Sequence, residues 1–123
     1  MLLNYLKSKI HRATITEANL HYEGSISIGP DLLDTAGIQP FEKVSIYNVN
    51  NGERFETYAI LGKKGEICLN GAAAWKGKVG DIIIIACYCL ITPEEASQFL
   101  PKLVYVDDKN EVKNVGNNIP VRS

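Results

Sequence analysis

The chain has 123 residues, 46% of them hydrophobic and 22% charged, the balance of one ordinary globular domain. A formal charge of −1 supplies no net positive field to recruit nucleic acid or an anionic membrane. No apolar stretch reaches the length that crosses a bilayer.

At the N-terminus, Leu2, Leu3, Tyr5 and Leu6 are interrupted by Lys7, Lys9 and Arg12, with no small-residue cleavage site, so an export signal is not expected. Leu6 to Ile15 alternates as a first strand, with Lys7, Lys9 and His11 on one face. Ser25-Ile26-Ser27-Ile28 begins another, both serines on one side and both isoleucines on the other. Gly29-Pro30-Asp31 then opens a short helix, with Pro30 in its first position and Gly37 as its stop. Lys43 to Val49 and Glu53 to Leu61 flank Asn50-Asn51-Gly52, a hairpin signal because Asn and Gly both accept positive φ.

Lys63-Lys64-Gly65 turns the chain into a strand from Glu66 to Leu69. Asn70-Gly71-Ala72-Ala73-Ala74 is too small in its side chains to pack as a strand and too glycine-flanked for a long helix. After a tight turn at Val79-Gly80-Asp81, the isoleucine-rich run to Ile91 reads as a buried strand. Thr92, Pro93 and Glu95 mark a helix start with a capping box, the helix ending near Leu100 before Pro101. Strands around Leu103–Val106 and Glu111–Val115, joined by a turn at Asp107–Asn110, close the chain. Many short strands with two short helices predict a mainly β fold, a small barrel formed as a single domain over 1–123.

Cys68, Cys87 and Cys89 are an odd number without metal-site spacing, and Cys87 and Cys89 share a strand face beside isoleucines. They read as buried, small apolar residues in a reducing cytoplasm, with no metal expected. His11 and His21 lie either side of a predicted turn without a zinc-type spacing, and no P-loop, dinucleotide fingerprint or nucleophile elbow is present.

What remains is His21-Tyr22-Glu23-Gly24-Ser25. A Gly-Ser pair between two strands is ordinarily a turn glycine followed by a strand serine. Its chemical alternative is an N-to-O acyl shift, in which the Ser25 hydroxyl attacks the Gly24 carbonyl. Glycine suits that position because it has no side chain to block attack and tolerates a strained backbone. Elimination and loss of ammonia would then leave a pyruvoyl group at Ser25.

The surrounding motifs favour the chemical reading. Lys9-Ile-His-Arg12, Leu20-His-Tyr-Glu-Gly-Ser25, Asn48-Val-Asn-Asn-Gly52, Arg54-Phe-Glu-Thr-Tyr58, Asn70-Gly-Ala-Ala-Ala74, Val79-Gly-Asp81 and Ile119-Pro-Val121 occur in order across the chain. In these segments it resembles the bacterial pyruvoyl-dependent aspartate 1-decarboxylases. The resemblance implies a six-stranded double-psi β-barrel, a homotetramer in the cytoplasm, and self-cleavage into 1–24 (β chain) and 25–123 (α chain).

It also implies roles. Ser25, as the covalent pyruvoyl cofactor, would form a Schiff base with L-aspartate and act as the electron sink for decarboxylation to β-alanine, a precursor in pantothenate biosynthesis. Tyr58 would protonate the carbanion, Arg54 and Lys9 would hold carboxylates, and Thr57 would contact substrate and assist the acyl shift. Gly71, Ala72 and Ala73 would bring backbone up to the substrate, and Asn70, His11 and Tyr22 would serve the pocket or processing. An accessory maturation protein is not named by any motif.

Taken from strand alternation alone, Arg54 and Tyr58 would be a solvated cross-strand pair and Lys9 an exposed strand lysine. Thr57 and Tyr58 should also point to opposite faces of a regular strand, which calls for a bulge, strong twist or a site shared between subunits. Tyr47 stands where relatives often carry Trp, and Trp75 where they carry a smaller or polar residue. Two other readings stay open: a pyruvoyl enzyme for another amino acid, and a non-catalytic cradle-loop-type barrel binding DNA or a protein partner. The second rests on the Gly80-Asp81 turn and on Lys63, Lys64, Lys76 and Lys78, which read more readily as a solvated loop face.

Overall fold

The computed structural model describes residues 1–122. Its strands are β1 (Leu3–Thr14), β2 (Glu17–Asn19), β3 (Ser25–Ile28), β4 (Lys43–Asn48), β5 (Arg54–Leu61), β6 (Ile67–Asn70), β7 (Ile82–Ile91), β8 (Lys102–Val106) and β9 (Val112–Gly116). Two short helices, α1 (Pro30–Ala36) and α2 (Pro93–Ala96), and a 3₁₀ turn at Gly71–Lys76 complete the described elements. The nine strands form one mixed sheet in the order β2-β6-β3-β5-β4-β7-β1-β8-β9. The mainly β expectation therefore holds.

The core is built from alternate residues of these strands. Ile10, Ile26, Ile28, Ile46, Ile67, Leu69, Ile83 and Ile85 are all fully buried. Each such side chain contributes roughly 1.5–3 kcal/mol relative to exposure. α1 lays Leu32, Leu33 and Ala36 on this core and stops at Gly37, whose φ of +68° suits a residue without Cβ.

Several elements depart from their predicted bounds. β1 begins at Leu3 rather than Leu6, and it slips register against β7 between Leu6 and Ser8 and between Ile10 and Ala13. The second slip coincides with Arg12 at φ +65°. The isoleucine strand is buried only in part: Ile83, Ile85, Ala86 and Cys87 are interior, whereas Tyr88 and Leu90 are exposed. β7 is paired along both edges, by β1 and β4, so its backbone is internal while one face of its second half looks outward.

In the β4–β5 hairpin only Gly52 takes positive φ, +77°. The loop is wider than a two-residue turn because Asn48 closes it: its backbone N–H donates to Glu53 O at 2.8 Å and its O accepts from Gly52 N at 2.9 Å. The Thr92 capping box is present, with Glu95 N to Thr92 Oγ1 at 3.1 Å and Thr92 N to Glu95 Oε1 at 2.8 Å. α2 nevertheless ends at Ala96, short of Leu100, as Ser97 turns its hydroxyl back onto Glu94 O at 2.7 Å. The three-residue β2 has no alternation to reveal it; it exists because β6 offers a parallel partner.

Candidate active site

β3 and β6 run antiparallel, setting Ser25 opposite Asn70, Ile26 opposite Leu69 and Ser27 opposite Cys68. The alternation of Ser25-Ile-Ser-Ile28 thus sends the isoleucines inward and gathers Ser25, Ser27, Cys68 and Asn70 on the other face. All four are buried, Ser25 to 2% exposure. Asn70 Nδ2 donates to Ser27 Oγ at 2.9 Å and, more weakly, to Ser25 Oγ at 3.5 Å. Cys68 Sγ donates to Asn70 Oδ1 at 3.0 Å.

Ser25 has φ of +109°, a region that a residue with Cβ enters only under strain of about 1–3 kcal/mol. The residue before it is packed from the other side by backbone. A Cβ on Gly71, itself at φ +59°, would lie 2.9 Å from Gly24 Cα and 3.2 Å from Gly24 N. A Cβ on Gly24 would stand 3.9 Å from the Tyr58 hydroxyl. The Gly24-Ser25 junction is therefore strained, unshielded by side chains and within reach of a phenol.

A cleft of about 310 Å³ opens at this junction, lined by Gly24, Ser25, Thr57, Tyr58, Asn70, Ala72 and Ala73. Phe55 and Glu56, to which no motif assigns a role, and Lys76, expected on a solvated loop face, border the same cleft. Lys76 Nζ pairs with Glu53 Oε2 at 3.1 Å, and no motif spacing marks it as a cleft residue.

β5 shows no bulge against β4 through Thr57 and Tyr58, so that explanation of their shared site is corrected. β3 joins β5 only from Ile26 opposite Ala59 onward. Upstream of that point the cleft runs along the edge of β5, where successive side chains on opposite faces both border it.

The remaining sequence-predicted residues do not line this cleft. Lys9 sits in β1 opposite Ala86 and Leu103. The Arg54 guanidinium lies 3.9 Å over the Tyr47 ring, whose hydroxyl is 2.8 Å from that of Tyr88. That shared hydrogen bond, with burial, pushes Tyr88 up to about 12. His11 stands edge-on to Tyr105 at 5.5 Å, its Nδ1 buried without a hydrogen-bond partner among the described residues. Burial first, then the charges of Lys9 and Arg12, lower its pKa.

Tyr22 is exposed and borders a second groove of about 410 Å³ on the Ser27, Cys68 and Asn70 side. Trp75 is exposed and lines a different hollow with Asn50, Asn51 and Lys78. A larger hollow, about 580 Å³ around Gly29, Lys64 and Lys109, contains none of the residues assigned to the decarboxylase site. Reactive groups, not volume, mark the site.

Glu17, Glu66 and Cys68 bring potential metal-binding atoms within 4.8 Å of one another, a cluster their spacing in the chain did not announce. Burial, followed by the nearby Glu17 charge, pushes the Cys68 thiol up to about 11, so it serves as a protonated donor to Asn70. The four loop lysines fall into two loops: Lys63 and Lys64 follow β5, with Lys64 4.0 Å from Asp31, while Lys76 and Lys78 follow the alanines.

Fold and cleft together define a small, mainly β enzyme whose reactive side chains gather around one Gly-Ser junction. A family model described as "Aspartate decarboxylase" matches residues 1–113. The aspartate 1-decarboxylase of Caldicellulosiruptor saccharolyticus is 57% identical, covering 95% of this chain and 93% of its own length. That of Clostridium acetobutylicum is 58% identical over 94% of this chain and 92% of its own, and that of Thioalkalivibrio sulfidiphilus 51% over 100% and 99%. The chain belongs to the aspartate decarboxylase family. The reading as a non-catalytic barrel binding DNA or a protein partner falls with that assignment.

Proposed function

We propose that the chain removes the α-carboxylate of L-aspartate, giving β-alanine and CO₂, after cutting itself between Gly24 and Ser25. The observation that carries this reading is Ser25 itself, buried at φ +109° beside a half-buried glycine that has no side chain of its own to block attack. Those residues fit a pyruvoyl group made in place.

In the cleavage, Ser25 Oγ bonds to the Gly24 carbonyl carbon, the Gly24–Ser25 C–N bond breaks, and the proton passes to the freed Ser25 amine. Loss of the Ser25 α-proton then expels the Gly24 carboxylate, leaving a dehydroalanine. Water adds to its imine form and ammonia leaves. Release of the strained φ in the first step lowers that barrier, and about 1–3 kcal/mol corresponds to roughly 5- to 150-fold in rate. Thr57 assists the acyl shift in this reading, and its position on the cleft that holds Gly24 and Ser25 supports that role.

When present, the pyruvoyl group supplies the electron sink that lets the α-carboxylate depart. The side chains do the rest. Tyr58 holds its phenolic proton over the junction for return to the substrate carbon, and Ala72 and Ala73 leave room for the substrate against the 3₁₀ backbone. Arg54 and Lys9 are the carboxylate partners in this reading, and they stand outside their own chain's cleft. A homotetramer, in which a neighbouring subunit brings them in, is therefore part of the same proposal, as is the double-psi wiring of the barrel, which the mixed parallel and antiparallel pairing supports.

The test is the intact mass of purified protein alongside CO₂ release from aspartate. Wild type should separate into two fragments, the larger beginning at a pyruvoyl group, while Ser25→Ala stays whole and inactive. A wild-type chain that remains whole yet decarboxylates aspartate would overturn the reading.

A further inference from the structure

We propose that Cys68 is a positioning residue for self-cleavage: its S–H turns the Asn70 side-chain amide so that the nitrogen end faces Ser25 Oγ. This inference rests on the cleavage reading above and names a residue that reading does not use.

An asparagine amide has two ends of nearly the same shape, and only its partners decide which end points where. At Asn70 each end has a partner. Oδ1 faces Cys68 Sγ at 3.0 Å, and Nδ2 faces Ser27 Oγ at 2.9 Å and Ser25 Oγ at 3.5 Å. Either serine hydroxyl could donate or accept, so the serines alone leave the amide free to turn. The thiol does not, because it keeps its proton: burial and the Glu17 carboxylate both disfavour the thiolate. A protonated Sγ in a buried position needs an acceptor. Leu69 O stands at 3.9 Å and the Glu17 carboxylate is also a partner, but Asn70 Oδ1 at 3.0 Å is nearer than Leu69 O and is the acceptor on the Ser25 face.

The direction matters to the chemistry. With nitrogen forward, one N–H is held by Ser27 and the other is aimed at Ser25 Oγ. That contact is long at rest and shortens as Oγ gains negative charge on losing its proton. With the amide reversed, the Asn70 carbonyl would accept the Ser25 proton, hold it on the hydroxyl and repel the charge that the attack requires. The cross-strand register supplies the geometry, since Ser25 opposes Asn70 and Ser27 opposes Cys68.

The competing explanation is that Cys68 merely fills space. Three variants separate the two. Cys68→Val keeps a branched apolar side chain of similar volume and loses the donor, Cys68→Ala loses the donor without adding a branch, and Cys68→Ser restores a donor. Each precursor is followed from synthesis by intact mass, with thermal unfolding of the same samples as the check on folding. The expected result is cleavage slowed about fivefold or more in Cys68→Val and Cys68→Ala, the scale of one hydrogen bond, and recovered to within about twofold in Cys68→Ser. Wild-type cleavage rates in folded Cys68→Val or Cys68→Ala would overturn the inference, as would a Cys68→Ser precursor that folds and is as slow as the other two. A wild type that never cleaves would sink the cleavage reading and this inference with it, whereas normal cleavage throughout the series would sink this inference alone.

Discussion

At Gly71 and Gly24 two backbones meet with no side chain between them, and that contact fixes one wall of the proposed cleavage junction. Adding a methyl at Gly71 puts carbon 2.9 Å from Gly24 Cα, and the residue must also hold φ +59°. The backbone penalty alone is about 1 kcal/mol, but the collision falls on the reacting peptide itself and has to move it. Gly71→Ala should therefore slow self-cleavage by an order of magnitude or more, read as the fraction of whole chain over time. Gly80→Ala is the matched control. Its φ of +93° carries the same kind of strain, but an added Cβ meets nothing within 4 Å. That variant should lose about 1 kcal/mol of stability in urea unfolding and cleave at the wild-type rate. Equal cleavage in both variants would mean that the Gly71 contact does not position the junction.

Between elements, Asn48 is the tie that holds the cleft's alanine wall to the sheet. It ends β4 almost fully buried, and its Nδ2 donates to Lys76 O at 3.1 Å and to Asp81 Oδ2 at 3.0 Å. Its Oδ1 accepts from Asn50 N at 2.9 Å. The β4 end, the 3₁₀ turn and the start of β7 thus converge on one amide. Asn48→Ala leaves buried polar atoms without partners and should cost about 2–3 kcal/mol, measured by urea unfolding. The hydrogen bond from Asn48 is the main reason the Asp81 carboxyl sits below its usual pKa. A folded pKa below the unfolded one means this stabilisation is present above the ordinary carboxylate range and lost as pH falls through the folded value. The wild type should lose stability over that acid window, and Asn48→Ala should lose less of it. The same amide shows where the sequence was legible and where it was not. Alternation revealed Ser25–Ile28 because its serines and isoleucines take opposite faces, and β4 because every second side chain is buried. It could not show that Asn48 would tie the turn to Lys76 and Asp81, which arrive from distant segments. Lys76 escaped notice for the same reason, and the paired placement of Thr57 and Tyr58 depends on where β3 starts beside β5. Tyr58 was legible as a cleft residue only through the resemblance, because alternation alone made it half of an exposed strand pair.

On the scale of the whole molecule, the cleft and its proposed carboxylate partners are separated. Ser25, Thr57 and Tyr58 share one cleft, while Arg54 lies over Tyr47 and Lys9 lies between Ala86 and Leu103. If a neighbouring subunit completes each site, two variants damaged in different halves should rescue one another. Tyr58→Phe removes the proposed proton donor within the cleft, and Arg54→Ala removes the proposed carboxylate partner outside it; both retain Gly24 and Ser25. Each variant alone should turn over aspartate poorly. Unfolded together and reassembled at equal amounts, random mixing gives about one site in four an intact Tyr58 from one subunit and an intact Arg54 from its neighbour, hence about a quarter of wild-type activity. Sites built wholly within one chain give no such recovery, because every Tyr58-intact cleft then carries its own Arg54→Ala. The measurement is CO₂ release against mixing ratio. Activity that peaks at equal proportions supports the shared site, and a flat line at the level of the separate variants rules it out.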